Sequence, residues 1–182
     1  MNKLLLLGSL VLLPCLSLAQ EQYSDVLATD IVDEVTHDVI KSSYWQVLER
    51  GSFSRNLNTF YRISSVNGKF YLQLKVIHGG DIFVVPRNGE LKFWLENGDI
   101  VTLYNSEYKT TSVGAGARKW AGSGAEGAML TYLLTDDDIK QFLHNYIFRL
   151  QFHTGEGYVE KRITEYHSEL FMDEIALVYY GQ

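Results

Sequence analysis

Between Val113 and Gly127 the chain is mostly Gly, Ala and Ser, set around Arg118-Lys119-Trp120. An indole and two cations on a glycine-rich tip can stack on a sugar, an aromatic ring or a peptide. The connection from Asn105 to Ala128 is long for a compact domain, and loops of that length without structure of their own are often functional. The competing reading has Trp120 plugging the open end of a sheet while the glycines allow close backbone approach. Trp45 and Trp94 carry the same choice between core and surface. If the chain has a recognition site, it is expected at Arg118, Lys119 and Trp120.

Other chemistries find weaker support. Gly122-Ser-Gly124-Ala-Glu-Gly127 fits a dinucleotide-loop glycine pattern, which has meaning only between a strand and a helix. Here a strand-like run follows, so no cofactor is expected. Gly122-Ser123-Gly124 is not a nucleophile elbow. The five histidines are scattered, with no helix-face pair, so no metal site is expected. His78 and Asp81 flank Gly79-Gly80 and read as a cross-strand pair rather than ligands. Asp136-Asp137-Asp138 lacks calcium-loop spacing and reads as a helix cap. Glu126, Glu156 and Glu160 lie in or beside loops and carry no mark that separates a catalytic carboxylate from a solvated one. No catalytic residue is assigned.

The elements that must position these residues are mostly strands. Only two prolines and alternating aromatic and β-branched residues point to antiparallel sheet. Residues 59–66 and 69–77 flank Asn67-Gly68, the turn of a tight hairpin that aligns Tyr61, Ile63 and Ser65 with Leu74, Leu72 and Phe70. The opposite face pairs Ser64 with Tyr71, Arg62 with Gln73 and Phe60 with Lys75, and is wetter. A second turn at Gly79-Gly80 is expected to return the chain along residues 82–85, making a three-stranded meander that ends at Pro86. Residues 90–105 form another hairpin, whose loop has two or three residues around Asn97-Gly98. Residues 31–36, 39–48, 146–154 and 158–163 read as further strands, with Tyr146, Phe148, Leu150 and Phe152 on one face. Thr135 caps a helix to about His144, and Thr164 caps another to about Tyr179 with an apolar stripe of Leu170, Phe171, Ile175, Leu177 and Val178.

The sequence therefore predicts an α+β domain, mostly β: an antiparallel meander folded into a sandwich or open barrel, with two short helices. Lys3, the apolar run 4–13 and Ser17-Leu18-Ala19 have the three regions of a cleavable signal peptide. Cleavage between Ala19 and Gln20 is expected, leaving a flexible segment 20–28 and one domain over 29–182. Cys15 sits in a box resembling a lipoprotein site, but Pro14 is a poor residue before it, so a soluble exported chain is favoured and membrane attachment is expected only if Cys15 is lipidated. Cys15 is the only cysteine, so the processed chain has no disulfide or thiolate chemistry. The formal charge of −6 argues against nucleic acid and anionic membranes as partners.

The stretch Ile100-Val-Thr-Leu-Tyr-Asn105, the small-residue loop 113–122 and Met129-Leu-Thr-Tyr-Leu-Leu-Thr135 before an acidic helix cap resemble uncharacterised exported β-rich proteins of Gram-negative bacteria. The resemblance covers most of residues 45–178. It implies a location in the envelope, periplasmic or extracellular, and no mechanism. The expected function is a non-catalytic envelope protein that binds an envelope protein or a glycan or peptide ligand. The alternatives are an envelope hydrolase using a carboxylate pair, of glycoside hydrolase or other type, and a structural subunit pairing through a sheet edge.

Overall fold

The computed structural model of the chain describes residues 27–49, 58–78, 82–113 and 126–181. Residues 1–26, which include the expected signal peptide, Gly79-Gly80, where a turn is expected, and Arg118, Lys119 and Trp120 lie outside those residues. The elements run β1 (Leu27–Val32), β2 (Val39–Ser43), β3 (Gln46–Glu49), β4 (Asn58–Val66), β5 (Lys69–His78), β6 (Val84–Val85), β7 (Glu90–Leu95), β8 (Ile100–Tyr104), β9 (Lys109–Thr110), β10 (Ser112–Val113), β11 (Glu126–Leu134), α1 (Asp136–His144), β12 (Ile147–Thr154), β13 (Gly157–Arg162) and α2 (Glu165–Tyr180). β1 thus includes Leu27 and Ala28, at the end of the segment expected to be flexible.

The fold is α+β and mostly β. A seven-stranded sheet has the order β1-β2-β4-β5-β11-β10, with β3 also paired to β4. A four-stranded sheet has the order β13-β12-β7-β8, and β6 pairs with β9 alone. All pairings are antiparallel, and no sheet among the described residues closes into a barrel.

Local chemistry explains the turns. Asn67 and Gly68 both have positive φ (51° and 76°), the requirement of a type I′ turn, and β4 pairs with β5 in the expected register. The β7–β8 hairpin takes the three-residue loop, pairing Leu91 with Leu103 and Phe93 with Val101, with Gly98 at φ 89°. That register avoids opposing Glu96 with Asp99. Thr135 and Asp138 form a reciprocal capping box, and Thr164 accepts from the His167 N–H.

Several expectations are corrected. The meander does not continue from β5 to residues 82–85, because β11 occupies that side of β5 over nine residue pairs. Its alternating apolar residues extend the inner face as Leu74–Leu130 and Leu72–Tyr132, whereas Val84–Val85 offers two residues and pairs with β9. Residues 33–38 are a turn, with Asp33 Oδ1 accepting from the Val35 and Thr36 N–H groups at 2.8 Å each. The strand expected at 39–48 breaks at Tyr44-Trp45. β2 and β3 both pair with β4, but with a one-residue slip between them. Ser43 Oγ accepts from the Ile63 N–H at 3.1 Å where the ladder is interrupted. A bulge between Ile147 and Arg149 turns Ile147 inward and leaves Phe148 exposed, so Phe148 does not share the face of Leu150 and Phe152. The connection after Asn105 contains two short strands, β9 and β10, rather than being structureless throughout.

One core takes side chains from both larger sheets and both helices. Phe171 of α2 is its hub. Its ring centroid lies 4.9 Å from Tyr61 of the seven-stranded sheet, 5.8 Å from Phe93 of the four-stranded sheet and 5.2 Å from Phe142 of α1. Phe93 and Phe142 also meet edge to face at 5.1 Å. All four rings are fully buried. The α2 stripe differs from expectation: Leu170 and Leu177 are only half-buried, while Ser168 and Glu174 join Phe171, Ile175 and Val178 inside.

Glu174 is the costly member. Its Oε1 accepts from Gln46 Nε2 at 2.9 Å, while its Oε2 and the Tyr61 hydroxyl find no hydrogen-bond partner among the described residues. Burial pushes the Glu174 carboxyl above the usual range, with hydrogen bonds from Gln46 and Ser43 opposing. Burial also pushes the Tyr61 phenol up, and the nearby Glu174 charge adds to that rise.

Two outcomes follow. Phe171→Ala should cost about 3–5 kcal/mol in urea unfolding, since it empties the junction of four elements. A folded carboxyl raised above its unfolded value of about 4.3 contributes stability below that pH and loses it as pH rises through the folded value. Glu174→Gln retains an acceptor for Gln46 and removes this loss. Thermal melts should therefore show a gap in favour of the variant that opens as pH rises above about 4.3. A gap that does not change with pH would mean that Glu174 does not titrate across this range.

Candidate functional site

The outer face of the seven-stranded sheet carries three registered rows. Phe60, Lys75 and Met129 form one, Arg62, Gln73 and Thr131 the next, and Ser64, Tyr71 and Leu133 the third. Trp45 enters from the break between β2 and β3, opposite Arg62. Lys75 Nζ lies 4.2 Å and Arg62 Cζ 4.9 Å from the centroid of its ring. Arg62 Nε donates to Gln73 Oε1. Trp45, Arg62, Gln73 and Lys75 are all half-buried.

Two cations therefore share one indole, and among the described residues neither is paired with an acid. Burial lowers the pKa of both, and the Arg62 charge lowers that of Lys75 further. Their distances to one centroid place them no more than about 9 Å apart. At that separation their repulsion runs from about 0.5 kcal/mol in water to about 2 kcal/mol at a protein-surface dielectric. A cation–π contact at an exposed site returns roughly 0.5–1 kcal/mol. The two effects nearly cancel, so the arrangement adds little to stability.

The four-stranded sheet offers a contrast. Arg149 Cζ lies 3.9 Å from the Trp94 ring, but Arg149 also pairs with Glu160 at 3.5 Å. That cation is compensated, and Glu160 is engaged as its partner. Nearby, Lys92 pairs with Glu90 at 2.6 Å, and His153 stacks on Tyr158 at 4.8 Å.

The outer face of the large sheet continues into a cavity. Met129 and Leu133 are 46% and 57% exposed on β11, next to Lys75 and Tyr71. Beyond them lies a cavity of about 520 Å³, whose lining includes Tyr71, Tyr104, Ser106, Thr131, Leu133 and Asp136. Its size falls within the range of small-molecule sites, roughly 300–1,000 Å³.

The chain matches no protein-family model, and neither a curated protein nor a solved structure is significantly similar to it. Function must be argued from the site itself.

Arg118, Lys119 and Trp120 lie outside the described residues, as do Ser123, Asp81 and the side chain of Glu126. The segment that carries the three recognition residues joins β10 to β11, whose Glu126 pairs with His78 at the same end of β5 as Lys75. Glu156 is exposed in the β12–β13 turn. Asp138 completes the helix cap, and the Asp136 and Asp137 side chains lie beside it in the first turn. His144 Nδ1 lies 2.7 Å from the Lys140 carbonyl, and His167 Nδ1 lies 3.0 Å from Thr164 Oγ1. Among the described residues no group of three or more His, Cys, Asp or Glu is placed to hold a metal ion, and no helix is long and apolar enough to cross a membrane.

The Arg62–Gln73 and Phe60–Lys75 pairs were legible as the wetter face of the first hairpin. The arrival of Trp45 was not, because it depends on the slip between β2 and β3. Both Trp45 and Trp94 prove to be half-buried surface residues lying on cations, not core residues.

Lys75→Met keeps a long side chain against Trp45 and removes the repulsion. Urea unfolding should find it as stable as the parent or up to about 1 kcal/mol more stable. A loss greater than that would show the cation pair to be a structural support.

Proposed function

We propose that the protein is an exported, non-catalytic binding protein of the bacterial envelope, and that it holds an anionic ligand on the outer face of its seven-stranded sheet. One observation carries the reading: in a chain of net charge −6, Arg62 and Lys75 are held together on Trp45 with no acidic partner among the described residues. The mutual repulsion of two half-buried cations is what an arriving anion would neutralise. Among the described residues only Nε of Arg62 is hydrogen-bonded, so its terminal N–H groups can take a carboxylate, phosphate or sulfate, and Trp45 supplies an apolar surface beside them. Export rests on the signal-like residues 1–19. In sequence, the segment between β10 and β11 carries two more cations and an indole, Arg118, Lys119 and Trp120.

A second reading, a subunit that pairs through a sheet edge, draws support from β11. Among the described residues β10 pairs only with its first two residues, leaving 128–134 without a hydrogen-bonded strand on that side.

The test is a proton–nitrogen NMR titration of the chain with acetate, phosphate and sulfate at constant ionic strength. The Trp45 indole and Arg62 Nε signals should move saturably with at least one anion. In the Arg62→Gln, Lys75→Met double variant the remaining signals should stay fixed. Movement of the same size in the double variant would end the proposal, as would no movement in the parent.

A further inference from the structure

The distribution of charge along this face narrows the ligand, given the anion-binding reading above. From the Lys75–Met129 row to the Tyr71–Leu133 row the sheet advances four residues, roughly 13–14 Å. Net positive charge on this face lies in the first two rows, at Lys75 and Arg62. Gln73 and Thr131, beside Arg62 in the middle row, are neutral. At the far end the cavity presents Tyr71, Tyr104 and Leu133, and its only charged linings, Lys69 and Asp136, are of opposite sign. A polyanion would meet attraction at one end only. The exposed apolar side chains are also ordered: Met129 and Leu133 lie on the same face of β11, on either side of Thr131, and lead from the cations to the cavity. With the cavity beyond them they offer an apolar track beside the two cations.

We infer that the ligand is a free anionic amphiphile with one charged head and an extended apolar chain. The head, a carboxylate or similar anion, rests between Arg62 and Lys75 beside Trp45. The chain lies over Thr131 between Met129 and Leu133 and ends in the cavity by Tyr104. No covalent step is involved. Charge complementarity fixes the orientation, and chain length sets the affinity. Each methylene buried against a half-open face should tighten binding roughly two- to fourfold.

Calorimetry of the full chain with acetate, hexanoate and dodecanoate, all below micelle formation, tests this directly. Dodecanoate should bind at least roughly a hundredfold tighter than acetate, with hexanoate between them. Dodecyltrimethylammonium, with the same chain and the opposite head, should bind at least roughly tenfold more weakly than dodecanoate. Leu133→Asn replaces an exposed side chain, so circular dichroism should show it folded. It should weaken dodecanoate severalfold while leaving acetate unchanged, whereas Arg62→Gln weakens both. Equal affinity along the acid series, with dependence on Arg62 retained, would overturn the amphiphile and leave the anion site standing. Equal binding of the cationic detergent would overturn the assignment of the head. Retention of the protein by anionic vesicles, with no binding of free dodecanoate, would assign the same chemistry to a membrane surface and overturn the free ligand. No binding of any anion would remove both readings.

Discussion

The packing of Phe171 is the contact on which the rest of the structure depends. Each sheet has a face that must be covered, and neither helix is large enough to do that alone. Phe171 touches one ring from each sheet and one from α1, so it makes four separate elements into one core. With Cys15 as its only cysteine, the chain can form no disulfide within itself to substitute for that packing. Two polar ties reinforce the same junction: Lys41 of β2 donates to the Gly181 carbonyl at the end of α2, and Glu49 of β3 pairs with Lys161 of β13 at 3.4 Å across the two sheets.

That dependence explains why a polar residue survives in the α2 stripe. Helix periodicity places residues 171, 174, 175 and 178 on one side, so Glu174 is carried inward with Phe171. Gln46 and Ser43 soften its burial, and both come from the strands that flank the Tyr44-Trp45 break. The irregular segment that brings Trp45 to the outer face therefore also supplies the groups that make α2 tolerable on the inner one. Stability and the candidate site draw on the same few residues of β2 and β3.

Local chemistry was readable from the sequence, and long-range pairing was not. Asn67-Gly68 declares itself because both residues accept positive φ, and Thr135 with Asp138 because a helix start needs acceptors for its free N–H groups. The neighbour of β5 could not be read in the same way. Gly79-Gly80 suggested a return along residues 82–85, yet the partner is β11, far along the chain, chosen by the match of two long alternating faces. Phe148 was misplaced because a bulge adds a residue without changing the alternation visible in sequence. Half of the site, Arg62 and Lys75, could be seen as one face of a hairpin; its aromatic lid could not, since only the spatial register of three strands brings Trp45 over them.

The break at Tyr44-Trp45 has a consequence for how such a site would be inherited. β2 and β3 share one side of β4 and differ in register by one residue, so the chain holds one residue more there than a continuous strand would need. The extra length is what frees the indole from the ladder and lets it reach across to β5. Losing a single codon would fuse the two strands and pull the indole back into line, with every residue of the site still present. In descendants of this gene, the site's gain or loss would be written as a gap in the alignment before it was written as a substitution.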